Sequence, residues 1–191
     1  MMKKRKFLFI AVALLIICMG TTMPGVSAAP VERSSHVLLQ IPDIQGESTV
    51  EGYTKWIELS EVGFSSSIVV NTSGTGRGMG LPKEDDISVT RQVDTSSPAI
   101  FRKHLLTTTA GSGNNPYRDW AIVFLDDNGS PYLKYTLKEP VINSYKISNK
   151  ARFAPEETFS VNYTGITVTT WDSRGVQQPV VSYDITTQRI N

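Results

Sequence analysis

The sequence predicts an all-β domain, a small antiparallel barrel or sandwich with a single helix. Three observations predict it. From His36 onward, apolar residues alternate with a period of two in short runs. Clusters of Gly, Pro, Asn, Asp and Ser separate the runs, as turns do. Only one stretch has helical spacing.

The first 28 residues are expected to leave before the domain folds. Lys3, Lys4, Arg5 and Lys6 form a basic start, residues 7–18 are uninterruptedly apolar, and Val26-Ser27-Ala28 ends the segment with small residues. That order is the pattern of a secretory signal peptide, with cleavage expected after Ala28. The apolar run is shorter than the roughly 20 residues a spanning helix needs, although an uncleaved N-terminal anchor is the alternative reading. Cys18 follows the bulky Ile17, which argues against a lipidation site.

Cleavage leaves 163 of the 191 residues, with fifteen basic against eighteen acidic side chains and a net charge of −3. A nucleic-acid binder is expected to carry a basic surface, so that class is disfavoured. The single cysteine leaves with the signal, so the domain is expected to stand without a disulfide. Residues 29–35 are a polar lead-in, and residues 36–191 form the domain.

The elements follow in order. Residues 37–41 and 55–59 are expected strands, and Ile68-Val69-Val70 a short third. Residues 71–85 hold four glycines and a proline without periodicity, and are expected to form a long exposed loop. Strand pattern resumes at Ile87. Ser97 is the expected helix cap and Pro98 suits the first turn; Ile100, Phe101, His104 and Leu105 share a face. The Thr107-Thr108-Thr109-Ala110-Gly111 run ends the helix. Strands at 120–125 and 132–137 are joined through Asp127-Asn128-Gly129, a hairpin signal in which Asn and Gly tolerate positive φ. Residues 141–147, 158–163, 166–171 and 180–185 continue the pattern, with Gly165 marking a bulge or bend. The total is roughly nine strands and one helix, with no internal repeat.

The chemical inventory is sparse. His36 and His104 have no ligand-spaced partner, so both are expected to be structural and no metal site is expected. The pairs Asp85-Asp86, Asp126-Asp127 and Glu156-Glu157 sit beside turns or strand starts and lack calcium-loop spacing. A hydrolase using dispersed carboxylates stays open as a minor alternative. The Gly74-Thr75-Gly76-Arg77-Gly78-Met79-Gly80 run has no Gly-Lys-Ser/Thr, so no nucleotide or other cofactor is expected. Tyr117, Trp120, Tyr132 and Tyr135 form either a carbohydrate-stacking strip or core filling.

Several blocks resemble one known family. Leu38-Leu39-Gln40-Ile41-Pro42-Asp43-Ile44-Gln45-Gly46-Glu47-Ser48 leads to Trp56-Ile57-Glu58-Leu59. Asp86-Ile87-Ser88-Val89-Thr90-Arg91, Asp94 and Ser96-Ser97-Pro98 follow. Then come Lys138-Glu139-Pro140-Val141-Ile142-Asn143-Ser144-Tyr145, Glu157-Thr158-Phe159-Ser160-Val161-Asn162-Tyr163 and Tyr183-Asp184-Ile185-Thr186-Thr187-Gln188. In this order they are similar to the Hcp family, the ring-forming tube proteins of type VI secretion, over about residues 36–190.

The resemblance implies two antiparallel sheets wrapped into a barrel with a flanking helix, non-enzymatic, closing as homo-hexamers whose rings stack into a tube. It implies that the 71–84 loop reaches a neighbouring subunit or ring, with Asn71, Gly76, Arg77, Gly78 and Glu84 at that contact. The helix would lie towards the lumen, presenting Pro98, Arg102 and Lys103 to small effector proteins; components of the secretion machine are the other implied partners. The signal peptide departs from the family pattern. It implies a secreted or periplasmic protein with no membrane association after cleavage. A monomeric extracellular β-domain binding glycan or another surface ligand is the alternative function.

Overall fold

The computed structural model describes residues 36–72, 76–106 and 118–191. The expected signal peptide, the lead-in, Tyr117 and the centre of the expected loop lie outside the described residues. Among those described are thirteen strands and one helix. They are β1 (His36–Gln40), β2 (Ile57–Leu59), β3 (Glu61–Gly63), β4 (Ser66–Asn71), β5 (Gly78–Glu84), β6 (Ile87–Gln92) and α1 (Ser97–Leu106). The chain continues with β7 (Trp120–Leu125), β8 (Pro131–Lys138), β9 (Val141–Ser148), β10 (Glu156–Asn162), β11 (Gly165–Thr170), β12 (Val181–Asp184) and β13 (Arg189–Ile190).

All pairings are antiparallel. One sheet runs β13-β12-β11-β8-β7-β1-β2, a second β3-β6-β10-β9, and β4 and β5 pair only with each other. The mainly-β class with one helix stands. Closure does not: the two sheets keep open edges at β2, β13, β3 and β9 instead of wrapping into the expected barrel.

The inner faces of both sheets and Ile100 of α1 enclose one core, built on Leu39, Ile57, Val89, Ile122, Phe159 and their neighbours. β1 and β7 are covered on both faces. Leu38, Val123 and Leu125 point away from the main core and lie under Val50, Tyr53 and Trp56 of the β1–β2 connection. Cover on both sides explains why apolar residues follow one another directly in these two strands, departing from the expected period of two. Trp120 is only 1% exposed, so it belongs to the core and is not available as a stacking platform. Tyr135 likewise packs against Phe64 and Phe124, at ring-centroid distances of 5.7 and 5.8 Å.

Gly46 shows why the first motif block has its glycine. Gly46 N–H donates to Lys55 O at 2.8 Å and Ser48 N–H to Trp56 O at 3.0 Å, folding the connection back along itself. A Cβ at position 46 would collide with the Trp56 carbonyl and the Ile57 backbone, so the close approach needs a residue without one.

Three local expectations change. The β7–β8 turn is longer than a two-residue hairpin: Asp126 Oδ1 accepts from Asn128 N–H and Ser130 N–H, each at 2.9 Å. Only Gly129 takes a positive φ, of 76°. The expected last strand is followed by a further one, β13, which pairs with β12. The 71–85 stretch is not a patternless loop: β5 occupies Gly78–Glu84 and pairs with β4, Ser66 opposite Glu84 and Asn71 opposite Gly78, with a register shift between Ile68 and Val70.

Candidate functional site

Two regions beside β6 carry the residues singled out by sequence. The first is a buried ionic cluster. On β6, Ile87, Val89 and Arg91 share the inward face, and on β10 so do Glu157, Phe159 and Val161. Register sets Glu157 directly opposite Arg91. A core-facing charge is rare unless paired, and here the pairing is dense. Arg91 Nη1 lies 3.2 Å from Glu157 Oε1, Arg91 Nη2 contacts Asp94, and Arg91 Nη1 donates to Ser96 Oγ at 2.6 Å. Ser97 Oγ donates to Glu157 Oε1 at 3.0 Å, and Tyr145 OH donates to Glu157 Oε2.

Asp94 then fixes the entry to α1, accepting from Ser96 N–H at 2.7 Å and Ser96 Oγ at 2.6 Å. Ser96 O takes the first helical bonds, from Ala99 and Ile100 N–H. The cap is therefore Ser96 and not the expected Ser97, because the Ser97 hydroxyl is drawn inward to Glu157. Burial raises the Asp94 pKa, but the bonds from Arg91 and Ser96 outweigh it and hold the carboxyl below its ordinary value. Burial first, and then the bond to Glu157, push the Tyr145 phenol well above its usual range. Glu47 joins the first block to this cluster by accepting from Thr95 Oγ1 at 2.7 Å. Four of the sequence blocks thus meet at one place. It is a structural anchor: each carboxylate here is engaged by partners of the same chain.

The second region is the β4–β5 hairpin. Its apolar side chains face solvent: Ile68 is 49% exposed, Val69 66%, Val70 47%, Met79 74% and Leu81 63%. The hairpin pairs with neither of the two larger sheets, and a lone two-stranded hairpin is at best marginally stable in water. Of the expected contact residues, Asn71 ends β4, Gly78 starts β5, and Gly76 and Arg77 lie between them, all exposed. Glu84 differs. It stands at the hairpin base, half-buried, accepting from Ser66 Oγ at 2.8 Å. Ser65 Oγ donates to Asp85 at 2.6 Å beside it.

On α1, Pro98 and Arg102 are exposed, whereas Lys103 is half-buried with its ammonium 5.8 Å from the Trp120 ring centroid. Burial lowers the Lys103 pKa, with Asp43 opposing and Arg118 adding to the shift. His104 is structural: its Nδ1 bonds Ile142 O at 2.9 Å and its ring stacks on Tyr145. Sequence reading missed Arg91 and Glu157 as a pair. The available signal was their phase, since each falls on the apolar face of its own strand.

Among curated proteins, none matches this chain. Solved structures do match. A type six secretion system protein superposes with a TM-score of 0.70 at 15% identity, covering 82% of this chain and 99% of that one. Hcp1 from Salmonella typhimurium gives 0.65 at 18% identity over 82% and 99%, and Hcp2 from the same organism 0.58 at 18% over 81% and 98%. Identities this low establish the fold. The family itself is established by sequence, because residues 38–170 match the family described as "Type VI secretion system effector, Hcp". The chain belongs to the Hcp family of type VI secretion proteins.

Proposed function

We propose that this protein is a non-enzymatic ring former exported from the cell, whose mature domain closes into homo-hexamers that stack. The observation carrying this reading is the β4–β5 hairpin, which pairs with no other strand and presents five large apolar side chains to solvent. Membership of a family of structural tube proteins supports it. In this reading Asn71, Gly76, Arg77 and Gly78 contact a neighbouring subunit or ring, and Glu84 braces the hairpin root. Pro98, Arg102 and Lys103 face the lumen, where small effector proteins are carried.

Export follows from the basic start, the apolar run and Val26-Ser27-Ala28. The protein outside the cytoplasm then begins at Ala29. Particle size of the purified protein in solution tests ring formation. A hexamer-sized species supports the proposal, and a strict monomer at high concentration and moderate salt opposes it. N-terminal sequencing tests the export step separately. Of the aromatic strip that the glycan-binding alternative would use, Trp120 lies in the core.

A further inference from the structure

Two clefts adjoin at the C-terminal end of β6, and Gln92 lines both. The first, of about 300 Å³, is walled by Gln92, Ser148, Lys150, Phe153, Ala154 and Glu156. The second, of about 380 Å³, has Glu58 and Ser60 among its walls. Register builds the first. Glu156 of β10 stands between Gln92 of β6 and Ser148 of β9 in one cross-strand row. Side chains directly opposite on neighbouring strands share a face, so the row presents an amide, a carboxylate and a hydroxyl together. Beyond β9 the chain turns back: Phe153 N–H donates to Lys150 O at 2.9 Å, and Arg152 takes a φ of 76°. Val93 N–H then donates to Pro155 O at 3.0 Å, tying the turn to the end of β6. Phe153 is left 73% exposed at the cleft wall.

We propose that these clefts bind a neutral oligosaccharide, with one sugar ring on Phe153 and the chain running past Gln92. The proposal goes beyond ring formation and does not depend on it. Phe153 lies outside the aromatic strip singled out by sequence, so the site does not need Trp120.

Three properties select that ligand. Among the described residues, Gln92, Ser148, Lys150 and Glu156 make no side-chain hydrogen bond or ion pair. Donors and acceptors are therefore both open, as a ligand of many hydroxyls requires. Lys150 and Glu156 balance in the first cleft, and the second holds three carboxylates against one guanidinium, which repels an anionic glycan. Phe153 supplies an apolar ring face for the C–H face of a sugar. A purely apolar ligand is disfavoured, because its pockets are lined mainly by apolar side chains and four of the six walls here are polar. Two clefts joined through one side chain suit a chain of sugars better than a single ring.

Calorimetric titration of the purified protein tests this, with maltotriose, cellotriose and N-acetylchitotriose, their monosaccharides, and trigalacturonate as probes. At least one neutral trisaccharide should bind, about tenfold tighter than its monosaccharide and than trigalacturonate. Phe153→Ala should weaken that binding about tenfold without changing the melting temperature, and Phe153→Trp should retain it. No binding of any neutral trisaccharide at millimolar concentration overturns the proposal. So does binding that ignores Phe153→Ala, a monosaccharide that binds as tightly as its trisaccharide, or equal affinity for trigalacturonate. Particle size measured on the same samples keeps the two readings apart: a monomer that binds the trisaccharide supports this site and opposes ring formation.

Discussion

The two regions flanking β6 handle their unusual side chains in opposite ways. Towards its C-terminal end the strand places a charge on the core face and surrounds it: Arg91 meets Glu157, Asp94 and Ser96. Beyond its N-terminal end the chain places Ile68, Val69, Val70, Met79 and Leu81 in water and covers none of them. Burying a charge is costly unless its partners are in place, so the first region must be complete within one chain. Exposed apolar area is tolerated in one chain and becomes favourable only on association. The contrast separates what holds the single chain together from the surface on which the proposed assembly rests.

The comparison can be broken first at the cluster. Glu157→Ala leaves the buried Arg91 with only Asp94 as counter-charge and should cost about 3 kcal/mol, read as a lower denaturation midpoint. Gly46→Ala should cost about 1–3 kcal/mol by the same measurement, because the added methyl meets backbone and not a movable side chain. No loss in either variant would mean that the motif blocks do not anchor the fold.

Acid should sharpen the same contrast. The Asp94 pKa is depressed in the folded state from an ordinary 3.8. Its contribution is therefore fully present above that value and is lost as pH falls through the lower folded value. Melting temperature should thus fall below about pH 4, and less steeply in Asp94→Asn. The smallest effect on stability belongs to the hairpin. Met79→Ser with Leu81→Ser should change stability by no more than about 0.5 kcal/mol while reducing particle size in solution.

Legibility in the sequence followed the same division. Alternation disclosed β6 and β10 because each buries one face, and the motif blocks were visible because their spacing serves one cluster. Gly46 and Ser96-Ser97 were recognised as part of a block, but the close backbone approach and the shift of the cap to Ser96 depend on Trp56 and Glu157, distant in sequence. β5 was missed because Gly78, Gly80 and Pro82 are poor strand formers. It pairs with β4 all the same, and its solvent-facing surface leaves no buried stripe to read. Open sheet edges are likewise a property of tertiary pairing, which periodicity does not encode.

The most direct measurement removes the hairpin and reads fold and assembly together. Ser66 and Glu84 are paired across its base, so replacing residues 67–83 by Asn-Gly closes the chain with a compatible tight turn. The account predicts an unchanged melting temperature and loss of assemblies larger than a ring. A shortened protein that unfolds, or one that assembles as the parent does, would contradict it.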